Sequence, residues 1–354
     1  MSAPNPLWGI HVTRGAVCGA FVLRGDDGRH EVLDGFVETT ADAPRDAVRR
    51  ALARREVRGR PAWIAVGDES CAVGTGEIDR SELEMTDEEV VFTLHDFAPF
   101  EPGEGQLLYH RVGSGEERRY MVAAVPAATS AAFASVAAEL DPARHGLGLA
   151  SPALARGVRA LGLVGRSGYA VDVQDDVTRV LAFDGDRVRR YLVAAGLREL
   201  ARDGGAVALA HDLVRLADYH RELSRRGPGG PRPDFALVGA GASRARAALA
   251  AALGERLAPA AFRSEPTHAL DGAGGGALDD ARAVELVGAV GAALEALGAP
   301  TARLPLADVP ADVPDPPAGP SPTVQALLVA AAVVAVGTAA LGVWIALGRP
   351  GARG

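Results

Sequence analysis

Lysine is absent: all 37 Lys/Arg positions of the 354-residue chain are Arg. Against 45 acidic residues they leave a net charge of −8 and no basic stripe of the kind that tracks a phosphate backbone. Nucleic acid is therefore excluded as the expected partner. Cysteine is nearly absent too. Cys18 and Cys71 stand far apart and outside any metal or redox spacing, so they read as small buried apolar residues in a reducing compartment. The eight histidines are scattered without paired-ligand spacing, and no metal site is expected. Residues 1–6 carry no basic segment and no apolar run follows, so no signal peptide is expected. Long hydrophobic runs are missing everywhere except near the C-terminus.

That exception, residues 324–347, contains no charged side chain. A helix rising about 1.5 Å per residue needs roughly 20 apolar residues to cross a bilayer, so this stretch is long enough to span with some tilt. It follows a Pro- and Asp-rich stretch, 308–322, that reads as a semi-rigid spacer of about 3 Å per residue. One C-terminal transmembrane helix is expected, with a tail at 348–354. Ala331, Ala335, Ala339 and Gly342 form a small-residue stripe on it that would permit close packing with a second copy, a homodimer. The general alanine richness of the chain is the plain alternative. Arg349 and Arg353 would place the tail inside by the positive-inside rule. The lack of an export signal and the ease of translocating so short a tail weigh the other way, and residues 1–320 are expected in the cytoplasm.

The strongest pattern in the rest of the chain is a duplication. A strand at 7–13, the pair Arg14-Gly15, a strand at 16–23, an Asp26-Asp27-Gly28 turn and a strand at 29–37 form the first copy. The second has strands at 169–173, 177–183 and 187–193, with Gln174-Asp175-Asp176 and Asp184-Gly185 between them. Asp-Gly between β-prone runs is a strong hairpin signal, because Gly accepts the positive φ of the favoured turn. With 48% hydrophobic residues the chain can bury two such units, and a duplicated α/β unit predicts two similar lobes facing across a cleft.

Between and after the copies, helices are expected at 43–56, 85–97, 129–140, 150–161, 207–225, 244–257 and 279–297, and strands at 61–66, 107–112, 120–125 and 235–238. The resulting organisation is a first part of lobe 1 at 1–57, an α+β insert at 58–145, a return to lobe 1 at 146–167, lobe 2 at 168–300, a Pro-rich linker at 301–323, and the membrane helix at 324–347.

Four stretches, in this order, resemble the actin-like superfamily and within it the PilM proteins of type IV pilus assembly and their type II secretion relatives. They are Trp8-Gly9-Ile10-His11-Val12; the run from Glu88 to Phe100, with Tyr109; Ala170-Val171-Asp172-Val173, with Ala195-Gly196-Leu197; and Leu237-Val238-Gly239-Ala240-Gly241-Ala242. The resemblance covers about 7–297. It implies an actin-like α/β fold, two RNase H-like lobes with a small α+β insert, to which the C-terminal helix is added. It also implies ATP held by two hairpin turns and a glycine pair, with a strand-end Asp on Mg2+ or its waters.

Here the first turn departs from that pattern. His11-Val12-Thr13-Arg14 stands where the family has Asp-x-Gly-Ser, and Gln174 takes the glycine place of the second turn. Asp172, Gly196, Gly239, Gly241 and Ala242 are the nucleotide-binding residues if binding is retained. Asp172 reads equally as a strand-end carboxylate capping its own turn. No cofactor is expected, with ATP and Mg2+ as the alternative. A dinucleotide reading of Gly239-x-Gly241 fails at Arg244, where a Gly or Ala would allow tight helix packing. Residues 301–306, through Leu304 and Pro305, resemble the leucine-proline motif of PilN, the membrane partner of PilM, and would dock on the same chain. An ordinary linker is the alternative.

The expected protein is thus a single-pass bacterial inner-membrane scaffold of pilus or secretion machinery that binds its inner-membrane proteins and is not an enzyme. An ATP-binding switch or ATPase is the rival.

Overall fold

The computed structural model describes residues 6–24, 30–78, 104–112, 118–165, 167–184, 187–202, 204–223, 234–253, 262–263, 271–272 and 280–298. Their strands are β1 (Leu7–Thr13), β2 (Ala16–Arg24), β3 (His30–Thr39), β4 (Ala62–Val66), β5 (Ala72–Ile78), β6 (Gly105–Val112), β7 (Arg118–Pro126), β8 (His145–Leu149), β9 (Ser167–Val173), β10 (Val177–Asp184), β11 (Arg187–Ala195), β12 (Asp234–Val238), β13 (Phe262–Arg263) and β14 (Asp271–Gly272). The helices are α1 (Pro44–Ala53), α2 (Ala127–Ala137), α3 (Ala150–Ala160), α4 (Leu197–Leu200), α5 (Gly205–Leu223), α6 (Ala242–Leu253) and α7 (Asp280–Gly298).

Two sheets repeat one topology. In the first, β3, β2 and β1 run antiparallel, followed by β4 and β8 parallel to β1, with β14 on the far edge. In the second, β11, β10 and β9 run antiparallel, followed by β12 and β13 parallel to β9. The likeness extends to a bulge in the same hairpin. Leu33 of β3 is skipped opposite Phe21/Val22, and Tyr191 of β11 is skipped opposite Val180/Leu181. The alternating and continuous apolar runs predicted these six hairpin strands, and the structure places them where expected.

The insert differs from expectation. β4, grouped with it by sequence, lies between β1 and β8 in the first sheet. Its fully buried Ala-Trp-Ile-Ala-Val run suits a central parallel strand. The insert begins instead at β5, and β5, β7 and β6 extend the second sheet beyond β11. That junction is one ladder pair, Arg189 with Gly74, plus the Thr75 hydroxyl accepting the Val188 N–H at 2.9 Å. Neither β5 nor β8 was expected, because each carries two glycines and reads as loop. In β8 the glycines make room for an aromatic ring: a Cβ on Gly146 would lie 2.1 Å from Trp63 Cε3. The expected helix at 85–97 lies outside the described residues.

Chain order assigns the last helix to lobe 2, but α7 packs on β1, β2 and β4 of the first sheet and along α3. Apart from Arg282 and Glu285 near its start and Glu295 near its end it is largely apolar, and it is buried along most of its length. Small residues bring it to backbone contact. A Cβ on Gly157 of α3 would lie 2.0 Å from Val287 O, and one on Gly291 would lie 1.8 Å from Ala153 O. Its side chains also join the core shared with β9, β10 and β12, so α7 ties the two sheets together.

One charge is buried in this packing. Glu295 of α7 lies against Trp63, with its carboxyl pushed up to about 7 by burial, partly offset by Arg156 and the Trp63 indole.

Two outcomes follow. Gly291→Ala gains helix propensity of about 1 kcal/mol, but overpacking of about 1–3 kcal/mol outweighs it, so the urea midpoint should fall. Glu295 holds its proton more tightly folded than unfolded. Its stabilising effect is complete below about 4.5 and is lost as pH rises through about 7. Glu295→Gln should therefore match the parent near pH 4 and exceed it by up to about 3 kcal/mol at pH 8–9 in denaturant titrations.

Candidate functional site

The carboxyl ends of the parallel strands β1, β4, β8, β9 and β12 deliver His11, Asp68, Ser151, Asp172 and Gly239 to one region, the natural crevice of such sheets. At its centre is an arginine. Arg179 of β10 lies directly across the ladder from Asp172 of β9, as Cys18 lies across from His11 in the first hairpin. Both Arg179 and Asp172 are fully buried. Arg179 donates to Asp172 Oδ2 through Nε at 3.0 Å and through Nη2 at 2.6 Å. Gln174 Nε2 donates to the other oxygen, Oδ1, at 2.5 Å.

The guanidinium reaches into the first lobe as well. Its Nη1 is 3.6 Å from Asp68 Oδ1 and 3.8 Å from Glu69 Oε1, and its Nη2 is 3.5 Å from His11 Nε2. Asp68 in turn accepts from the N–H and hydroxyl of Ser151, at 3.0 and 2.8 Å, at the start of α3. Arg190 of β11 donates to Asp68 Oδ1 at 3.1 Å and to the carbonyls of Asp68 and Glu69. Side chains from both sheets therefore meet in one buried network of three carboxylates and two guanidiniums.

Electrostatics follow from burial. Asp172 is raised by desolvation, against the pull of Arg179 and Gln174. For Arg179 burial would lower the value, but Asp172, Glu69 and Asp68 outweigh it and push it up. His11 is held well below its ordinary range, by burial first and by Arg179 second, so it is a neutral imidazole. Burial pushes Cys18 and Cys71 up to about 12, so neither is a thiolate at neutral pH.

The two hairpin turns abut. Gly15, with φ +99°, sits where an added Cβ would be 3.1 Å from Asp175 Cβ and 3.3 Å from Asp176 N. The second turn is pinned by ion pairs of Asp175 with Arg244 at 2.8 Å and of Asp176 with Arg198 at 3.2 Å. Among the residues singled out from sequence, Asp172, Gly239 and Gly241 come together. Gly239 has φ +95°, and an added Cβ there would lie 2.3 Å from Asp172 Oδ1. Gly241 donates its N–H to Val173 O at 2.8 Å, and Ala242 is buried as the first residue of α6. Gly196 lies behind the second turn, with its Cβ position 2.2 Å from Val177 N. Leu304, Pro305, Ala331, Ala335, Ala339 and Gly342 lie outside the described residues.

Arg179, Asp68, Glu69 and Arg190 were missed by sequence reasoning. Arg179 left a partial signal, as the one charge in the run Val177-Thr-Arg-Val-Leu181, but counting across the three-residue connection pairs Asp172 with Thr178; the register in the structure is one residue longer and brings Arg179 opposite Asp172. Asp68 and Glu69 follow β4, which had been assigned to the insert. Among the described residues no cluster of three or more His, Cys, Asp or Glu side chains has the geometry to hold a metal.

A PilM–PilN type IV pilus biogenesis complex superposes with a TM-score of 0.57 at 17% identity, covering 82% of this chain and 98% of that one. The fold is actin-like and PilM-like. The cytoplasmic domain of EpsL, an inner-membrane component of the Vibrio cholerae type II secretion system, matches at 10% identity and a TM-score of 0.40, over 66% of this chain and 81% of that one. The archaeal actin homologue Ta0583 in complex with ADP matches at 13% identity and a TM-score of 0.37, over 83% and 99%. No family model matches the sequence, and no curated protein does.

Removing one partner of a buried pair strands the other charge, at about 3–5 kcal/mol. Asp172→Leu should lower unfolding stability at pH 7 by that order. Adding Arg179→Met to it should recover much of the loss, giving a coupling energy above about 1 kcal/mol in a double-mutant cycle.

Proposed function

We propose that this protein is an actin-like scaffold for an inner-membrane assembly machine of the type IV pilus or type II secretion kind, working by protein–protein binding without nucleotide turnover. The observation that carries this reading is the buried Asp172–Arg179 pair. Asp172 is the only strand-end carboxylate at the two matching hairpin positions, since His11 holds the other, and it is already committed to a guanidinium. A Mg2+–nucleotide does not fit these residues. Arg179 would repel the metal, and the approach of Gly15 to Asp175 takes the space between the turns. The glycine pair, too, lies against Asp172 and Val173. The resemblance in fold to PilM, seen in complex with PilN, supports a role in binding membrane partners.

In this reading residues 324–347 anchor the chain as a single-pass helix with 1–320 in the cytoplasm, residues 301–306 dock in cis through Leu304 and Pro305, and the stripe from Ala331 to Gly342 supports a homodimer. Among the described residues no helix is long and apolar enough to cross a membrane, and the anchor lies outside them. The rival is a nucleotide-binding switch, favoured by one observation: Gly239-Ala240-Gly241 follows β12 and opens α6 beside Asp172.

Calorimetry and thermal unfolding of the purified chain with Mg-ATP separate the two. A ligand at 100 times its dissociation constant adds about 2.7 kcal/mol. No heat and no shift are expected at millimolar Mg-ATP. A shift abolished by Asp172→Ala would establish the switch instead. The anchor is tested by carbonate extraction of membranes: the full chain should stay in the pellet, and a chain ending at 320 should be released.

A further inference from the structure

The carboxyl ends of the parallel strands hold the buried network. Their amino ends, at the opposite side of the first lobe, gather exposed arginines. We propose that this face is a docking surface for an anionic phospholipid bilayer, with Arg55, Arg58, Arg60 and Arg144 meeting the headgroup phosphates. The proposal deepens the anchored-scaffold reading and rests on its assignment of residues 324–347 to the membrane.

Sequence supplies the charge. Six of residues 49–60 are Arg, in a chain of net charge −8. Part of that charge is neutralised within the fold: Arg49 pairs with Glu139, Arg50 with Glu38 and Asp42, and Arg54 with Glu38. The turn that follows α1 is different. Arg55, Arg58 and Arg60 are exposed, and among the described residues none of them makes an ion pair. Arg58 donates to Ala53 O at 3.1 Å, and Arg60 lies 4.7 Å over the Phe21 ring. Neither contact supplies a counter-charge. Folding adds a fourth arginine. The Ala62 N–H donates to Arg144 O at 3.1 Å and Ala62 pairs with His145, so Arg60 and Arg144 stand side by side at the starts of β4 and β8. Arg144 is exposed as well, 3.6 Å from Asp141. Glu56 and Asp141 offset part of this charge. The four form a patch, too short to follow a nucleic-acid backbone.

The occupant follows from where the chain goes next. α7 runs antiparallel to β1: Gly288 abuts His11, Ala293 approaches Gly9, and Leu297 O accepts from Arg24, which lies beyond Leu7. The helix therefore ends at the same face, and the sequence then leads through the Pro- and Asp-rich stretch to the uncharged run 324–347. A leaflet with anionic lipid carries a negative surface potential that attracts arginines within a Debye length, about 8–10 Å. Guanidiniums suit phosphate because their forked donors match its oxygens. The chain as a whole is acidic, so the same surface repels its other faces. Attraction at one face and repulsion elsewhere orient the lobe. That turns the carboxyl ends of the strands away from the bilayer.

The test uses the full chain in lipid nanodiscs of phosphatidylcholine, alone or mixed with phosphatidylglycerol. A fluorophore on Ala143→Cys, an exposed position beside the patch, reports its closeness to acceptor-labelled lipid by energy transfer, the native cysteines being buried. Transfer should be higher with phosphatidylglycerol, and about 1 M salt should remove the difference. The combined variant Arg55→Gln, Arg58→Gln and Arg60→Gln should unfold at the parent's temperature and lose the difference at low salt. Equal transfer in the two lipids would overturn the proposal and leave the patch to an acidic protein partner. A difference that survives in the Gln variant would overturn it as well. A chain that enters neither disc defeats the anchor alone. The patch is then read by sedimentation of the full chain with phosphatidylglycerol vesicles at low salt. Partition should fall about a hundredfold in the Gln variant, three arginines being lost, and an unchanged partition would overturn the docking surface.

Discussion

The rest of the structure is organised around the need to keep Arg179 paired. A guanidinium fully removed from water is tolerated only among acids, and here they come from two stretches, Asp172 at the end of β9 and Asp68 and Glu69 just beyond β4, with Ser151 at the start of α3 and Arg190 in the middle of β11 holding Asp68 in turn. Both sheets must be in register for these groups to meet. Buried ion pairs often break even against apolar replacements, so the pair is not the main source of net stability. Apolar burial supplies the stability, from the core that β9, β10, β12 and α7 share.

The second constraint is the closeness of α7. Glycines on α3 and α7 let main chains touch where ordinary side chains would hold helices some 8–10 Å apart. This draws the C-terminal helix of the globular part onto the first sheet, although it follows the second in sequence. It also places His11 against Gly288, with the imidazole filling the room the glycine leaves. The helix that closes the first lobe thus forms one wall of the polar network. That network and the abutting turns bring side chains of both lobes together at the carboxyl ends of the parallel strands.

The duplication, the hairpins and the order of the pieces were legible in sequence because strand periodicity and turn glycines are local signals. β5 and β8 were not. Their glycines lower strand propensity, and only the pairing of each with a neighbour, together with the Trp63 ring over Gly146, makes them strands. The place of β4 was misread for a related reason: parallel pairing with β1 is a long-range choice that a short apolar run does not announce. At the site, Asp172, Gly239 and Gly241 were picked out through a resemblance, and the structure brings them together. Their partner Arg179 escaped, because the register across the turn is one residue longer than the connection read from sequence, and counting stops at Thr178.

By itself, then, the sequence determined the repeated three-strand unit, the departure of the first turn from an acidic strand end to His11, and the presence of one uncharged run near the C-terminus. Each of these is written in neighbouring residues. Tertiary structure alone decided that Asp68 and Glu69 face Arg179, that Gly15 meets Asp175, and that α7 returns to the first lobe. The physical reason is that these contacts join residues far apart in the chain. A charge reveals its counterion only once folding has removed the water that would otherwise solvate both.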